Sequence, residues 1–133
     1  MKKRLQVAVA IILNSDEEVL IARRHAHQHQ GDLWEFPGGK REANETRFQA
    51  LQREIQEEVG LQIDHAEPFM QIAHDYADLQ VELDVWLITE FIGEAMSKEG
   101  QPLVWCKLAE LSGLDFPAAN KQIVERLQYL YTV

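Results

Sequence analysis

Residues 39–61 read GKREANETRFQALQREIQEEVGL, from Gly39 to Leu61. Five carboxylates fall between Glu42 and Glu58, and they are unevenly spread. Glu54, Glu57 and Glu58 stand at i, i+3 and i+4, so a helix projects all three from one face. Phe48, Leu51, Ile55 and Val59 recur at helical spacing on an adjoining face. The stretch therefore predicts one helix carrying a narrow apolar stripe with a stripe of acid beside it. Like charges at that spacing repel by a few tenths of a kcal/mol per pair. A bound divalent cation is the obvious candidate to offset this, and carboxylate oxygens suit magnesium, which shares its shell with substrate phosphates. Thr46 followed by Gln49 has the form of a capping box, and Gly60 is placed to end the helix. Ahead of it, Pro37-Gly38-Gly39 reads as a loop that tolerates positive φ and close approach of a ligand.

Outside this stretch the chain is ordinary in composition. Its 133 residues suit one domain spanning 1–133, with 46% apolar and 26% charged residues. A net charge of −9 argues against a nucleic acid polymer as partner but leaves a small nucleotide arriving with its metal open. No apolar run is long enough to span a membrane. Met1-Lys2-Lys3-Arg4 has the charge of a leader's start, but the following segment alternates like a strand and runs into Asn14-Ser15-Asp16. Cys106 is the single cysteine. It excludes an internal disulfide, reads as a buried structural thiol, and points to the cytoplasm.

Along the chain, Leu5–Leu13 and Val19–Arg23 read as strands separated by a polar turn. Arg24 to Asp32 reads as a loop near the site. Its alternating His25, His27 and His29 lack the spacing usual for transition metals. Strands are expected at Phe69–Tyr76, Val81–Leu87 and Leu103–Lys107, with Ala77-Asp78-Leu79 as a hairpin connection. Gly93 to Gly100 reads as a loop carrying Glu94 and Glu99. Ile123, Leu127, Leu130 and Tyr131 form the stripe of a final helix starting near Pro117. Strands on both sides of a central helix give an α/β fold with a mixed sheet covered by helices.

Gly39, Glu45, Arg53, Glu54, Ile55, Glu57, Glu58, Gly60 and Leu61 resemble the Nudix box, G-x5-E-x7-R-E-U-x-E-E-x-G-U, at each of its nine specified positions. The resemblance implies an α/β/α sandwich with the box as a loop-helix-loop. Further segments are similar to the MutT branch of that family: Glu35-Phe36-Pro37-Gly38-Gly39-Lys40, Lys98 to Pro102, and Asp115 to Asn120. That branch implies hydrolysis of 8-oxo-dGTP to the monophosphate and pyrophosphate, with magnesium as cofactor and manganese as a substitute. It implies metal ligation by the Gly38 carbonyl, Glu57 or Glu58, and Glu99, with Glu54 counted among the metal residues and also as the leading general base. Glu45 and Arg53 complete the catalytic set. Arg24 is implied to meet the phosphates, Asn120 to read the purine, and His29, Glu35, Phe36 and Tyr76 to contact substrate. A monomer or weak dimer is expected.

Asn120 also has a physical argument. Guanine offers two acceptors, O6 and N7, on one edge. Oxidation at C8 puts a proton on N7, and an asparagine amide then matches that acceptor-plus-donor edge. Two segments point elsewhere. Leu79 stands where MutT enzymes carry an arginine, and Leu33 to Phe36 and Leu103 to Cys106 resemble CTP pyrophosphohydrolases. The region of Tyr76 and Ala77 lacks the proline of ADP-ribose-cleaving members. A nucleotide-binding regulator that does not hydrolyse is the alternative of another class, although regulators usually lack box carboxylates that are all present here. An acidic-helix interaction module is a third reading, and it predicts no dependence on magnesium.

Overall fold

Ten consecutive residues, Lys3–Ile12, form β1, and from Ala8 onward its side chains alternate between two separate cores. Val9 and Ile11 point into one core, and Ala8, Ala10 and Ile12 into the other. A strand buried on both faces reads as a continuous apolar run, as this chain does from Val7 to Leu13. In this computed structural model, which describes residues 3–25 and 32–131, β1 lies inside a four-stranded mixed sheet. It pairs antiparallel with β4 (Gly38–Lys40) and parallel with β6 (Leu79–Ile88). β5 (Glu67–Tyr76) lies outside β6, joined to it through the turn at Ala77-Asp78, with a register shift between Pro68 and Met70. A second, antiparallel sheet holds β3 (Trp34–Glu35), β2 (Glu18–Arg23) and β7 (Leu103–Lys107) in that order.

Helix α1 (Arg47–Val59) covers one core through Ala50, Leu51, Ile55 and Val59, against Ala8, Ala10, Ile12 and Ile88. Helix α2 (Ala118–Tyr131) joins the other core through Ala119, Ile123, Val124 and Leu127. The expected sandwich of helices and mixed sheet is therefore present. Both ends of α1 close as its sequence predicts. Thr46 Oγ accepts from the Gln49 N–H at 3.1 Å, and Gln49 Oε1 accepts from the Thr46 N–H at 2.9 Å. Such a cap stabilises a helix by about 1 kcal/mol. Gly60 adopts φ 72°, and its N–H donates to the Gln56 carbonyl at 3.1 Å. Leu51 is fully buried, so Leu51→Ala would cost about 2–5 kcal/mol.

Two sequence expectations are corrected. Gly38 and Gly39 belong to a strand paired with β1, because two residues without side chains still offer a full set of main-chain hydrogen-bonding groups. Leu130 is exposed, and Ala119 and Val124 take its place in the buried stripe of α2. A 3-10 segment, Leu108–Gly113, follows β7 and buries Leu108 and Leu111. His27 and His29 lie outside the described residues.

Candidate active site

Arg53, in the middle of α1, gathers the acids of the 39–61 stretch. Its Nε and Nη2 meet the two oxygens of Glu45 at 2.5 and 2.8 Å. Nη2 also donates to the Lys40 carbonyl at 2.9 Å. Nη1 reaches Glu54 at 2.7 Å and Glu57 at 3.3 Å. One planar guanidinium thus fixes three carboxylates and ties α1 to β4, a task that needs its five donors in a rigid fork. The paired guanidinium, helped by the Glu42 N–H, holds the Glu45 carboxyl down at about 2.

The three acids at i, i+3 and i+4 have different fates. Glu57 remains exposed, and Glu54 is mostly covered, its carboxylate pressed against Gly39. Glu58 is only 5% exposed. Its Oε2 accepts from the Gly38 N–H at 2.8 Å, and Oε1 from Gln101 Nε2 at 3.4 Å. Burial pushes the Glu58 carboxyl up to about 8, against the Gly38 hydrogen bond, and Glu35, Glu99 and Glu54 push it further. Burial likewise raises Glu54, against the lowering effect of Arg53, with Glu57 and Glu99 adding to the rise.

Glu99 reaches this group because its loop is strapped to the end of α1. The Met96 N–H donates to the Val59 carbonyl and the Lys98 N–H to the Glu58 carbonyl, each at 3.0 Å. These bonds satisfy carbonyls that the last helical turn leaves open. Glu99 itself is exposed, and His25 Nε2 lies 3.3 Å from its main-chain carbonyl.

Beside the acids lies a cleft of about 350 Å³. Val7, Val9, Val81 and Leu83 of β1 and β6 contribute apolar lining, and Leu79 and Tyr76 line it at the hairpin. Gly38, Glu58 and Glu99 line it on the acidic side. Arg24 and Glu35 also face it, joined at 2.5 Å. Burial raises the Glu35 carboxyl and Arg24 opposes this, while Glu99 raises it again. Phe36 is buried, stacked on Phe116 with centroids 5.3 Å apart. A 2.8 Å bond from the Trp34 N–H to the Asp115 carbonyl ties β3 to the segment leading into α2. Asn120 consequently stands in the first turn of α2 at the cleft wall, and its side-chain amide has no hydrogen-bond partner among the described residues.

Of the residues expected from sequence, Arg24, Glu35, Phe36, Gly38, Glu58, Tyr76, Glu99 and Asn120 line one cleft. Glu45, Arg53, Glu54 and Glu57 form the adjoining network. His29 lies outside the described residues. Gln101 and the apolar lining were missed, since a buried glutamine and a strand's inward valines carry no signal distinguishing site from core.

A family profile described as NUDIX domain matches residues 8–126. The chain belongs to the Nudix family. An 8-oxo-dGTP diphosphatase from Escherichia coli K12 is 43% identical over 128 residues, covering 96% of this chain and 99% of that one. A CTP pyrophosphohydrolase of the same organism is 36% identical, over 86% of this chain and 84% of that one. One of the MutT structures from Aliivibrio salmonicida and Vibrio cholerae superposes with a TM-score of 0.86 at 38% identity, covering 97% and 100% of the two chains. Nudix hydrolases generally need a divalent metal, and the donor set here fits one: oxygen throughout, with Glu99 raising the proton affinity of Glu35, Glu54 and Glu58. Among the described residues, no three acids converge tightly enough to hold an ion as they stand. Arg53 draws Glu54 and Glu57 to itself, and Glu99 lies on an exposed loop.

Proposed function

We propose that this Nudix protein hydrolyses 8-oxo-dGTP to 8-oxo-dGMP and pyrophosphate, with magnesium as its metal and manganese as a substitute. The observation that carries the reading is a single cleft with an acidic wall at one side and the Asn120 amide at another. The amide suits the O6 acceptor and N7–H donor of the oxidised base, and normal guanine sets two acceptors there. A site built on such hydrogen bonding leaves a mismatched polar group unpaired.

Glu58, Glu57, Glu99 and the Gly38 carbonyl are the groups that would hold the metal. When bound, it polarises phosphoryl oxygens and makes a bound water easier to deprotonate. Glu54 takes the proton of the attacking water. The oxygen of that water bonds to the β-phosphorus, and the bond from that phosphorus to the α–β bridging oxygen breaks, leaving the nucleoside monophosphate and pyrophosphate. Arg53 holds Glu54 against Glu45 and Lys40, so the base is oriented before substrate arrives. Arg24 turns from Glu35 to the phosphates, a change of partner that keeps its charge compensated. Loading the metal requires a similar exchange, with Glu57 giving up its long contact to Arg53.

The same reading places the protein in the cytoplasm as a monomer or weak dimer acting on free nucleotides, with neither membrane nor nucleic acid polymer as partner. Among the described residues no helix is long and apolar enough to cross a membrane.

Leu79 in the cleft wall supports the second reading, a CTP or modified-dCTP pyrophosphohydrolase. The test is kcat/KM for 8-oxo-dGTP, dGTP, CTP, 5-methyl-dCTP and ADP-ribose, with and without magnesium. The expected result is metal-dependent pyrophosphate release with 8-oxo-dGTP ranked first. A first rank for a pyrimidine nucleotide overturns the base assignment, and metal-independent or absent turnover overturns the hydrolase mechanism.

A further inference from the structure

Glu58 and Gln101 are the two buried polar side chains among the described residues, and they are bonded to each other. Burying a polar group costs free energy unless its bonding capacity is met. Gln101 meets it at both ends. Its Nε2 donates to Glu58 Oε1 at 3.4 Å, and its Oε1 accepts from Ser97 Oγ at 2.9 Å. Against an ionised Glu58, the opposite amide orientation would set its oxygen against a carboxylate oxygen, acceptor to acceptor. Glu58 is thereby gripped from two directions, with Gly38 on Oε2 and Gln101 on Oε1. The main chain makes a parallel connection, since Lys98, next to Ser97, donates to the Glu58 carbonyl.

We propose that Gln101 is a positioning residue, held by Ser97, which fixes the orientation of the Glu58 carboxylate at the wall of the cleft. The proposal rests on the reading of Glu58 as a metal-holding group. Partners of this kind, one bond behind a ligand, typically alter metal affinity or activity by about 10–100-fold when removed. The loop bearing Ser97 and Gln101 also bears Glu99. One segment therefore supplies an acid to the cleft and steadies another on α1.

The test uses Gln101→Met, which keeps an unbranched side chain of similar length and removes both hydrogen bonds. Mn²⁺ alone serves as probe, titrated without nucleotide and read by the paramagnetic resonance of the free ion. Thermal unfolding in chelator and steady-state kinetics at saturating metal accompany it. The expected result is Mn²⁺ affinity weaker by about 10–100-fold, with the nucleotide KM at saturating metal little changed. Ser97→Ala should weaken Mn²⁺ binding in the same direction and by less, and Ser97→Thr, which keeps the hydroxyl, should restore it. Gln101→Met with the parent's Mn²⁺ affinity overturns the proposal, whatever happens to its melting temperature. If Gln101→Met does not fold, equal affinity in Ser97→Ala and the parent overturns it instead. A parent that binds no Mn²⁺ overturns this proposal and the metal reading together. A parent that binds Mn²⁺ without hydrolysing any nucleoside triphosphate overturns the substrate reading, and weaker Mn²⁺ binding by Gln101→Met then still supports the positioning role.

Discussion

Gly39→Ala separates the role of Glu54 from the stability of the fold. A Cβ built on Gly39 would lie 2.1 Å from Glu54 Oε2, 2.4 Å from its carboxyl carbon and 2.8 Å from Oε1. Ordinary contact begins near 3.4 Å, so the carboxylate must retreat by about 1.3 Å. The obstructing atoms are the far end of a side chain, which can move at little cost to the fold. The Arg53 bond that orients this carboxylate at 2.7 Å cannot survive such a shift unchanged. A misplacement of about 1 Å in a reacting group can cost about 100-fold, or about 2.7 kcal/mol of barrier. The expected result is therefore kcat lowered about 100-fold with the melting temperature within about 3 °C of the parent.

The neighbouring glycine supplies the control. A Cβ on Gly38 would lie 2.0 Å from the Ala8 carbonyl oxygen, and φ is 155°. Backbone cannot swing aside as a carboxylate can, and a strained conformation costs about 1–3 kcal/mol. Gly38→Ala should thus lose stability, and Gly39→Ala should lose turnover. The assay is pyrophosphate release at saturating magnesium and nucleotide, beside thermal melts of all three proteins. A folded Gly39→Ala protein whose kcat stays within threefold of the parent refutes the claim that the placement of Glu54 matters to the chemistry.

Glu54→Gln should lower kcat by about 10²–10⁴-fold with little change in KM, and a loss below tenfold transfers the base role to another acid. Glu57→Gln and Glu58→Gln should each keep the fold and lower turnover at limiting magnesium, and parent-like rates in both would sink the metal assignment. In chelator, Glu58 binds its proton more tightly folded than unfolded, with the folded value at about 8 against an ordinary 4.5. Its contribution is present below 4.5 and is lost as pH rises through 8. The metal-free melting temperature should therefore fall from pH 5 to 8, and Glu58→Gln should flatten that slope, an identical slope in the two proteins counting against it. Asn120→Ala should reduce the preference for 8-oxo-dGTP over dGTP by about 5- to 150-fold, matching a bidentate pair of roughly 1–3 kcal/mol. An unchanged ratio of kcat/KM removes Asn120 from base recognition.

What was legible in the sequence is what short-range chemistry decides. Thr46, Gln49 and Gly60 announce both ends of α1 because a cap is a contact within one turn of chain. β7 is found at Leu103–Lys107, as its apolar run predicts. Gly38–Lys40 escaped because two glycines carry no strand pattern, and pairing with β1 decides the matter instead. Leu130 misled because helical spacing finds a stripe without saying how far the partner surface extends. The division of the strands between two sheets has no local signature either, since a segment like β1, apolar on both faces, does not say what covers each.

The acidic face shows where periodicity runs out. By spacing alone Glu54, Glu57 and Glu58 are equivalent, yet one is wedged against a glycine, one is in solvent and one is buried. Helix geometry sets only their common direction. The differences come from partners distant in sequence: Gly39 leaves room for Glu54, the Gly38 N–H and Gln101 receive Glu58, and Arg53 draws Glu57 along the surface. The fixed spacing of the box is thus a constraint on three surroundings as well as on three acids. On this reasoning the second glycine before the helix is as much part of the catalytic arrangement as the acid it admits, and substitution at Gly39 or Gln101 should damage the site while leaving every carboxylate in place.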